Sequence, residues 1–274
     1  LSIVTYMRMT TLRNKVALIT GGASGIGKLL ARYLAQQGAI VIVWDVNESA
    51  IKGLEAEAAE HKLSIFGMVC NITKRDEVYQ QAASIKDTWG PVAILVNNAG
   101  VVSGSTFLNT PDEKMIQTME VNTLAHFWTL KAFLPDMISR NEGHIVTIAS
   151  AAGIIGVTGL ADYSASKFAA FGLHEAIRME LRRLKKNIQT TIVCPFFINT
   201  GMFDGVKTRF PLLLPIMEPE QAAKRILKAI LHNKKRLIMP PFVYSVYLLR
   251  LLPVSWFDRL ADFFGVNHAM DSFK

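Results

Sequence analysis

The sequence predicts a doubly wound α/β fold: one domain with a parallel sheet and helices on both faces. Short β-branched apolar runs alternate with longer helical patterns along most of the chain. The first run ends directly in a glycine-rich turn that opens a helix. Residues suited to chemistry fall at the ends of successive runs, and open α/β sheets bind ligands at the carboxyl ends of their strands.

Residues 15–20 (KVALIT) read as a buried parallel strand. Gly21-Gly22-Ala23-Ser24-Gly25-Ile26-Gly27 follows, then a helical pattern over 28–37 that Gly38 ends as a C-terminal cap would. Strand, glycine turn and helix form the context of a dinucleotide fingerprint. Gly21 permits a tight turn, while Gly25 and Gly27 let backbone approach a pyrophosphate and let helix pack on strand. Helix N-terminal amides then face the phosphates.

The next strand, 39–44, ends in Asp45. A carboxylate there accepts hydrogen bonds from both adenosine ribose hydroxyls and repels a 2′-phosphate. No Arg or Lys follows directly, and Ser24 rather than a basic residue precedes Gly25, which favours NAD over NADP. A turn-forming role for Asp45 before Asn47 is the plain alternative. Strands at 63–69 and 92–96 end in Cys70-Asn71-Ile72-Thr73 and Asn97-Asn98-Ala99-Gly100, with helices at 48–61 and 74–89 between them.

Residues 145–149 form a further strand closed by Ser150. Thirteen residues on, Tyr163 and Lys167 stand four apart in a helix and so share one face. A nearby ammonium favours a phenolate, so Lys167 is expected to lower the Tyr163 pKa and fit it for proton transfer with a substrate hydroxyl. Ser150 can hydrogen-bond the same oxygen. A solvated Tyr/Lys pair on a helix face is the alternative that spacing alone leaves open.

Half of the 274 residues are hydrophobic, which supports a sizeable core. Cys70 and Cys194 sit in apolar runs, as buried structural thiols in a reducing compartment; no spacing suggests a metal site. The net charge of +8 is concentrated in Arg182-Arg183-Leu184-Lys185-Lys186 and Lys234-Lys235-Arg236. These are solvated helix ends or an attraction to an anionic membrane surface. No motif supports nucleic-acid binding. Residues 1–12, an N-terminal extension, show no signal-peptide pattern, and no apolar run reaches the length of a membrane span.

Taken together, Thr20-Gly21-x-x-x-Gly25-x-Gly27, Asn97-Asn98-Ala99-Gly100, and Ser150 with Tyr163-x-x-x-Lys167 resemble the short-chain dehydrogenase/reductase family over nearly the whole chain. The resemblance implies a single-domain Rossmann fold of seven strands over residues 13–240. It makes Tyr163 the general acid/base, Lys167 its partner and the holder of the nicotinamide ribose, and Ser150 the group that polarises the substrate oxygen. Asn122 matches the helix asparagine that holds a relay water; otherwise it is a polar residue in a helix that buries Leu124 and Phe127. Asn98 would steady the central sheet beside the cofactor. Asn71 stands where the family often has an adenine-contacting Asp. Gly100, Pro195, Ile198 and Thr200 belong to the cofactor-binding segments, although Phe196-Phe197 replaces the family's usual glycine after Pro195.

Residues 201–217 would form a flap over the cleft. Met202, Phe203, Phe210 and Leu212 to Leu214 give it an apolar face that suits an apolar alcohol or carbonyl, or else packing into a core or dimer. The tail, 241–274, carries Phe242, Leu248, Leu249, Leu251, Leu252, Trp256, Phe257, Phe263 and Phe264. It reads as an interfacial helix or as a tail packed on its own subunit or a partner. Flap and tail resemble the branch holding epidermal retinol dehydrogenases and the hydroxysteroid dehydrogenases of lipid droplets and endoplasmic reticulum. That branch implies a lipophilic substrate such as retinol or a steroid, a peripheral association with a lipid surface on the cytoplasmic side, and a homodimer or homotetramer. The apolar surface of Phe168, Phe171, Leu173 and Ile177 fits such an oligomer. The other readings are a nonenzymatic cofactor-binding scaffold, an epimerase or dehydratase, and a dehydrogenase of small secondary alcohols.

Overall fold

The computed structural model describes residues 10–273, so most of the expected N-terminal extension, 1–9, lies outside the described residues. The expected alternation is present. Strand β1 (Val16–Thr20) leads to α1 (Gly25–Gln36), β2 (Ile40–Asp45) to α2 (Glu48–Glu60), β3 (Ile65–Val69) to α3 (Arg75–Trp89), and β4 (Val92–Asn97) follows. Then come α4 (Asp112–Met119), a π turn (Glu120–Leu124), α5 (Ala125–Arg140), β5 (Gly143–Ile148) and α6 (Ala161–Arg183). The last parts are β6 (Ile188–Pro195), α7 (Pro219–Leu231), β7 (Arg236–Met239), and two tail helices, α8 (Ser245–Leu249) and α9 (Val254–Phe263).

The strands form one seven-stranded sheet in the order β3-β2-β1-β4-β5-β6-β7. Every pairing is parallel. Because alternate strand residues point to opposite faces, each strand must be apolar on both. Ala17 and Ile19 face a core shared with Leu30 and Leu34 of α1, Leu54 of α2 and Ile226 of α7. Leu18 faces the other core, with Val78 and Ile85 of α3, Phe133 and Met137 of α5, and Leu181 of α6. Each fully buried side chain of this size contributes about 1.5–3 kcal/mol. The order reverses at β1/β4, which opens a crevice at the carboxyl ends there.

The phase of the helix around Asn122 differs from the expectation. Leu124 and Phe127 are 43% and 39% exposed, while Asn122, Thr123, Ala125 and His126 are buried. The π turn is the reason: its wider winding shifts the helical phase that follows. Leu173 and Ile177 pack on the core beneath α6. Phe168 and Phe171 lie under arginines instead. Arg250 stands 5.5 Å from the Phe168 ring, and Arg236 stands 5.3 Å from Phe171 and 5.4 Å from Tyr247. The tail and β7 thus cover part of the α6 surface that suggested self-association. Cys70 and Cys194 are buried free thiols, which burial pushes up to about 12.

Candidate active site

The crevice is a cleft of about 800 Å³. Gly21, Ser24, Gly25, Ile26 and Gly27 line it from the turn after β1, with Asp45 from the end of β2. Asn71 and Ile72, then Asn98, Ala99 and Gly100, enter after β3 and β4. Ser150 follows β5, Tyr163 and Lys167 come from α6, and Pro195, Ile198 and Thr200 follow β6. The chain therefore brings together every expected catalytic and cofactor-binding residue except Asn122.

The glycines are there for space. Gly21 has φ +61°, and a Cβ on it would lie 2.8 Å from the Ala99 Cα. A Cβ on Gly27 would lie 2.3 Å from the Gly21 oxygen. No side chain fits at either, so the α1 amides stay open to the cleft. Asn98 ties the turn down, its Nδ2 donating to the Thr20 oxygen at 2.9 Å and the Gly21 oxygen at 3.0 Å. Asp45 is held by two amides, Ala23 N on Oδ2 and Asn47 N on Oδ1, both at 3.1 Å. Such a cradle fits a nicotinamide dinucleotide. Asn71 is less available than expected: its Oδ1 already accepts from Thr73 N at 3.1 Å and Thr73 Oγ1 at 2.8 Å.

Tyr163 and Lys167 lie on the inner face of α6, 5% and 3% exposed. Lys167 Nζ donates to the Ile148 oxygen at 3.0 Å and stands 5.6 Å from the Tyr163 ring centre. The expected lowering of the phenol pKa by this lysine is not found. Burial dominates, pushing Tyr163 up to about 12, with the Ser150 hydroxyl pulling back. Burial also pushes Lys167 down to about 8. Ser150 Oγ accepts from Ala152 N at 3.1 Å, which leaves its proton free to donate.

Asn122 sits one layer behind the cleft, in the π turn. Its Oδ1 accepts from Val101 N at 2.8 Å, and its Nδ2 donates to the Val101 oxygen at 2.9 Å and to Ser166 Oγ at 3.0 Å. It still borders the site. A Cβ on Gly100 would lie 3.4 Å from both Asn122 Oδ1 and Lys167 Nζ.

The far half of the cleft is apolar. Phe196 and Phe197 after β6, and Met202, Phe203 and Leu214 from the flap, line it. The flap divides its apolar residues: Leu212 is 99% exposed, and Phe210 packs 5.4 Å from Phe263 and 5.9 Å from Phe264. The tail adds Phe242, Val246, Leu249, Phe257 and Phe264 to this lining. These wall residues were not singled out as site residues in the sequence. Their signal was the apolar spacing of the tail, which fits a lipid surface as well as a cleft wall. Gln117 and Glu120 also line the cleft and carry no motif.

A profile described as short chain dehydrogenase matches residues 15–209. Epidermal retinol dehydrogenase 2 of Mus musculus is 46% identical over 262 residues, covering 94% of this chain and 85% of that protein. Retinol dehydrogenase 10 of Homo sapiens is 38% identical over 288 residues, covering 94% and 84%. Among solved structures, a short chain dehydrogenase/reductase from Burkholderia phymatum in complex with NAD superposes with a TM-score of 0.79 at 24% identity, covering 89% of this chain and 95% of that one. A metagenomic short-chain oxidoreductase in complex with NADP gives 0.70 at 26% identity, covering 84% and 98%.

Proposed function

The chain belongs to the short-chain dehydrogenase family, and from that membership we propose that it interconverts a lipophilic alcohol, retinol-like or steroid-like, and its carbonyl, with NAD as hydride carrier. The coarser statement, a nicotinamide-dependent oxidoreductase acting on alcohols, follows from the family itself. One observation supports the finer reading above others: Ser150, Tyr163 and Lys167 meet in a cleft whose far half is walled by aromatic and aliphatic side chains. The relatives named as retinol dehydrogenases cover 94% of the chain.

The nicotinamide, when bound, supplies a hydride acceptor or donor. The chain does the rest. The glycine turn admits the pyrophosphate, and Asp45 takes the adenosine ribose hydroxyls. Ser150 Oγ donates to the substrate oxygen and orients it. Tyr163 Oη takes the hydroxyl proton during oxidation and returns it during reduction. Lys167 would hold the nicotinamide ribose through Nζ, beside Asn122, which fixes the Val101 loop and borders Gly100. The phenol works as a base only when ionised, and burial keeps it protonated at neutral pH. Oxidation is therefore expected to quicken as pH rises from 7 toward 10, while reduction, which uses the protonated phenol, stays level until pH nears 12, as initial-rate profiles in both directions will read. An oxidation rate that does not rise with pH removes Tyr163 from the proton step.

The test is NADH formation by the purified chain with retinol, a hydroxysteroid and a short secondary alcohol. Turnover of either lipophilic alcohol supports the reading; turnover of the short alcohol alone makes the apolar wall mere packing. Tyr163→Phe is expected to cut turnover by about 10²–10⁴-fold while NAD binding, read by fluorescence titration, stays within a few-fold. Near wild-type turnover would exclude Tyr163 as the acid/base. We further place the cleft mouth against a lipid surface, because the helices that wall the cleft expose apolar side chains on their outer faces.

A further inference from the structure

Phe203 sits in the flap with a glycine two residues to either side. Gly201 and Gly205 both have φ +83°, and these left-handed turns fold the backbone back so that the Phe203 ring enters the cleft. The ring stands edge-on to Tyr163, centroids 5.7 Å apart at 82°. It also meets Phe197 at 5.2 Å and 71°, and Phe197 meets Phe196 at 4.6 Å. Tyr163, Phe203, Phe197 and Phe196 thus form one run of contacting rings along the cleft wall, and Phe203 is the one that touches the phenol. Phe197, only 6% exposed, backs it and leaves it little room to withdraw.

We propose that Phe203 is the specificity-determining residue of the reaction, narrowing the space beside the Tyr163 phenol so that a flat primary alcohol carbon reaches it and a ring-fused secondary carbinol carbon is held back. This rests on Tyr163 being the proton-transfer group. Two physical features support it. Edge-to-face rings present a rigid wall, and a carbinol carbon bearing two ring bonds needs space on both sides of the hydroxyl that a wall on one side removes. A conjugated chain, being planar, lies along such a wall and gains aromatic contact.

The experiment compares wild type, Phe203→Leu and Phe203→Ala, with NAD saturating. The kcat/KM is measured for retinol, a primary polyene alcohol, and for a steroid carrying a secondary ring hydroxyl. Wild type is expected to favour retinol. Phe203→Ala should shift the ratio toward the steroid by about tenfold, the scale of one or two methylenes of pocket space, and Phe203→Leu should fall between. The KM for NAD and the melting temperature should stay near wild type in both. An unchanged ratio, or an equal fall for both alcohols, overturns the proposal. A wild type that oxidises only a short alcohol overturns the lipophilic reading instead; gain of the steroid but not of retinol by Phe203→Ala in that background would still uphold the wall, and gain of retinol would overturn it.

Discussion

Asp45 is a single carboxylate placed to choose between two cofactors. Two backbone amides fix it at 3.1 Å, so it stays oriented. Ribose hydroxyls donate to it; a 2′-phosphate meets it charge to charge. At about 4 Å and an effective dielectric near 20 that repulsion approaches about 4 kcal/mol, less where solvent reaches the cleft mouth. Asp45→Ala is therefore expected to lower the NAD over NADP ratio of kcat/KM by about 10–100-fold, measured with one alcohol and both cofactors. A ratio that does not move returns Asp45 to the role of a turn former. At this scale the sequence was legible in identity and spacing. Tyr163 and Lys167 fell four apart, and Gly21 and Gly27 fell where a Cβ would collide. Protonation was not legible, because it depends on burial from every side. Desolvation, and not the lysine that spacing set beside the phenol, governs both groups. Asn71 likewise looked free to accept a ligand until the fold turned Thr73 onto it.

The elements α5, β5 and α6 enclose three buried histidines. His144 on β5 bonds Thr191 Oγ1 at 2.8 Å and His174 on α6 bonds Thr147 Oγ1 at 2.9 Å. His126 on α5 has an unpartnered Nε2. Burial pushes His144 and His174 down to about 4 and His126 to about 3. Their folded values lie below the unfolded value near 6.5. The stability they contribute is whole above that pH and is lost as pH falls toward 4. Between pH 7 and pH 5 each should cost roughly 2 kcal/mol of unfolding free energy. Denaturant midpoints across that range are expected to drop, whereas a flat profile would mean that these rings keep a proton in the fold. Strands and helices were legible here because β-branched runs and glycine stops act locally. The π turn was not: an added residue in a helix leaves no local signature, and it moved Leu124 and Phe127 outward while burying Asn122 and His126.

At the scale of the whole molecule, the two basic runs and the cleft mouth lie at opposite ends of the sheet. Both basic runs, at 182–186 and 234–236, lie where α6 and α7 return to the amino ends of β6 and β7. The cleft and the tail lie at the carboxyl ends. Around the mouth, Leu251 is 81% exposed, Val254 75% and Trp256 62%, on the segment whose other side chains wall the cleft. Among the described residues no helix is long and apolar enough to cross a membrane. Charge in the sequence suggested an anionic surface, but sequence order could not show that the fold carries those charges away from the mouth. An association made by the tail is then a matter of apolar burial at an interface, and should need neither anionic lipid nor low salt. The chain is expected to float with phosphatidylcholine vesicles and to remain with them at about 1 M salt, where the Debye length is about 3 Å. The pair Leu251→Asp and Trp256→Asp should release it while the melting temperature holds, since both side chains face outward. Binding that requires phosphatidylserine and vanishes in salt would assign the contact to the basic pole, leaving the cleft mouth turned away from the lipid and its substrate arriving through water.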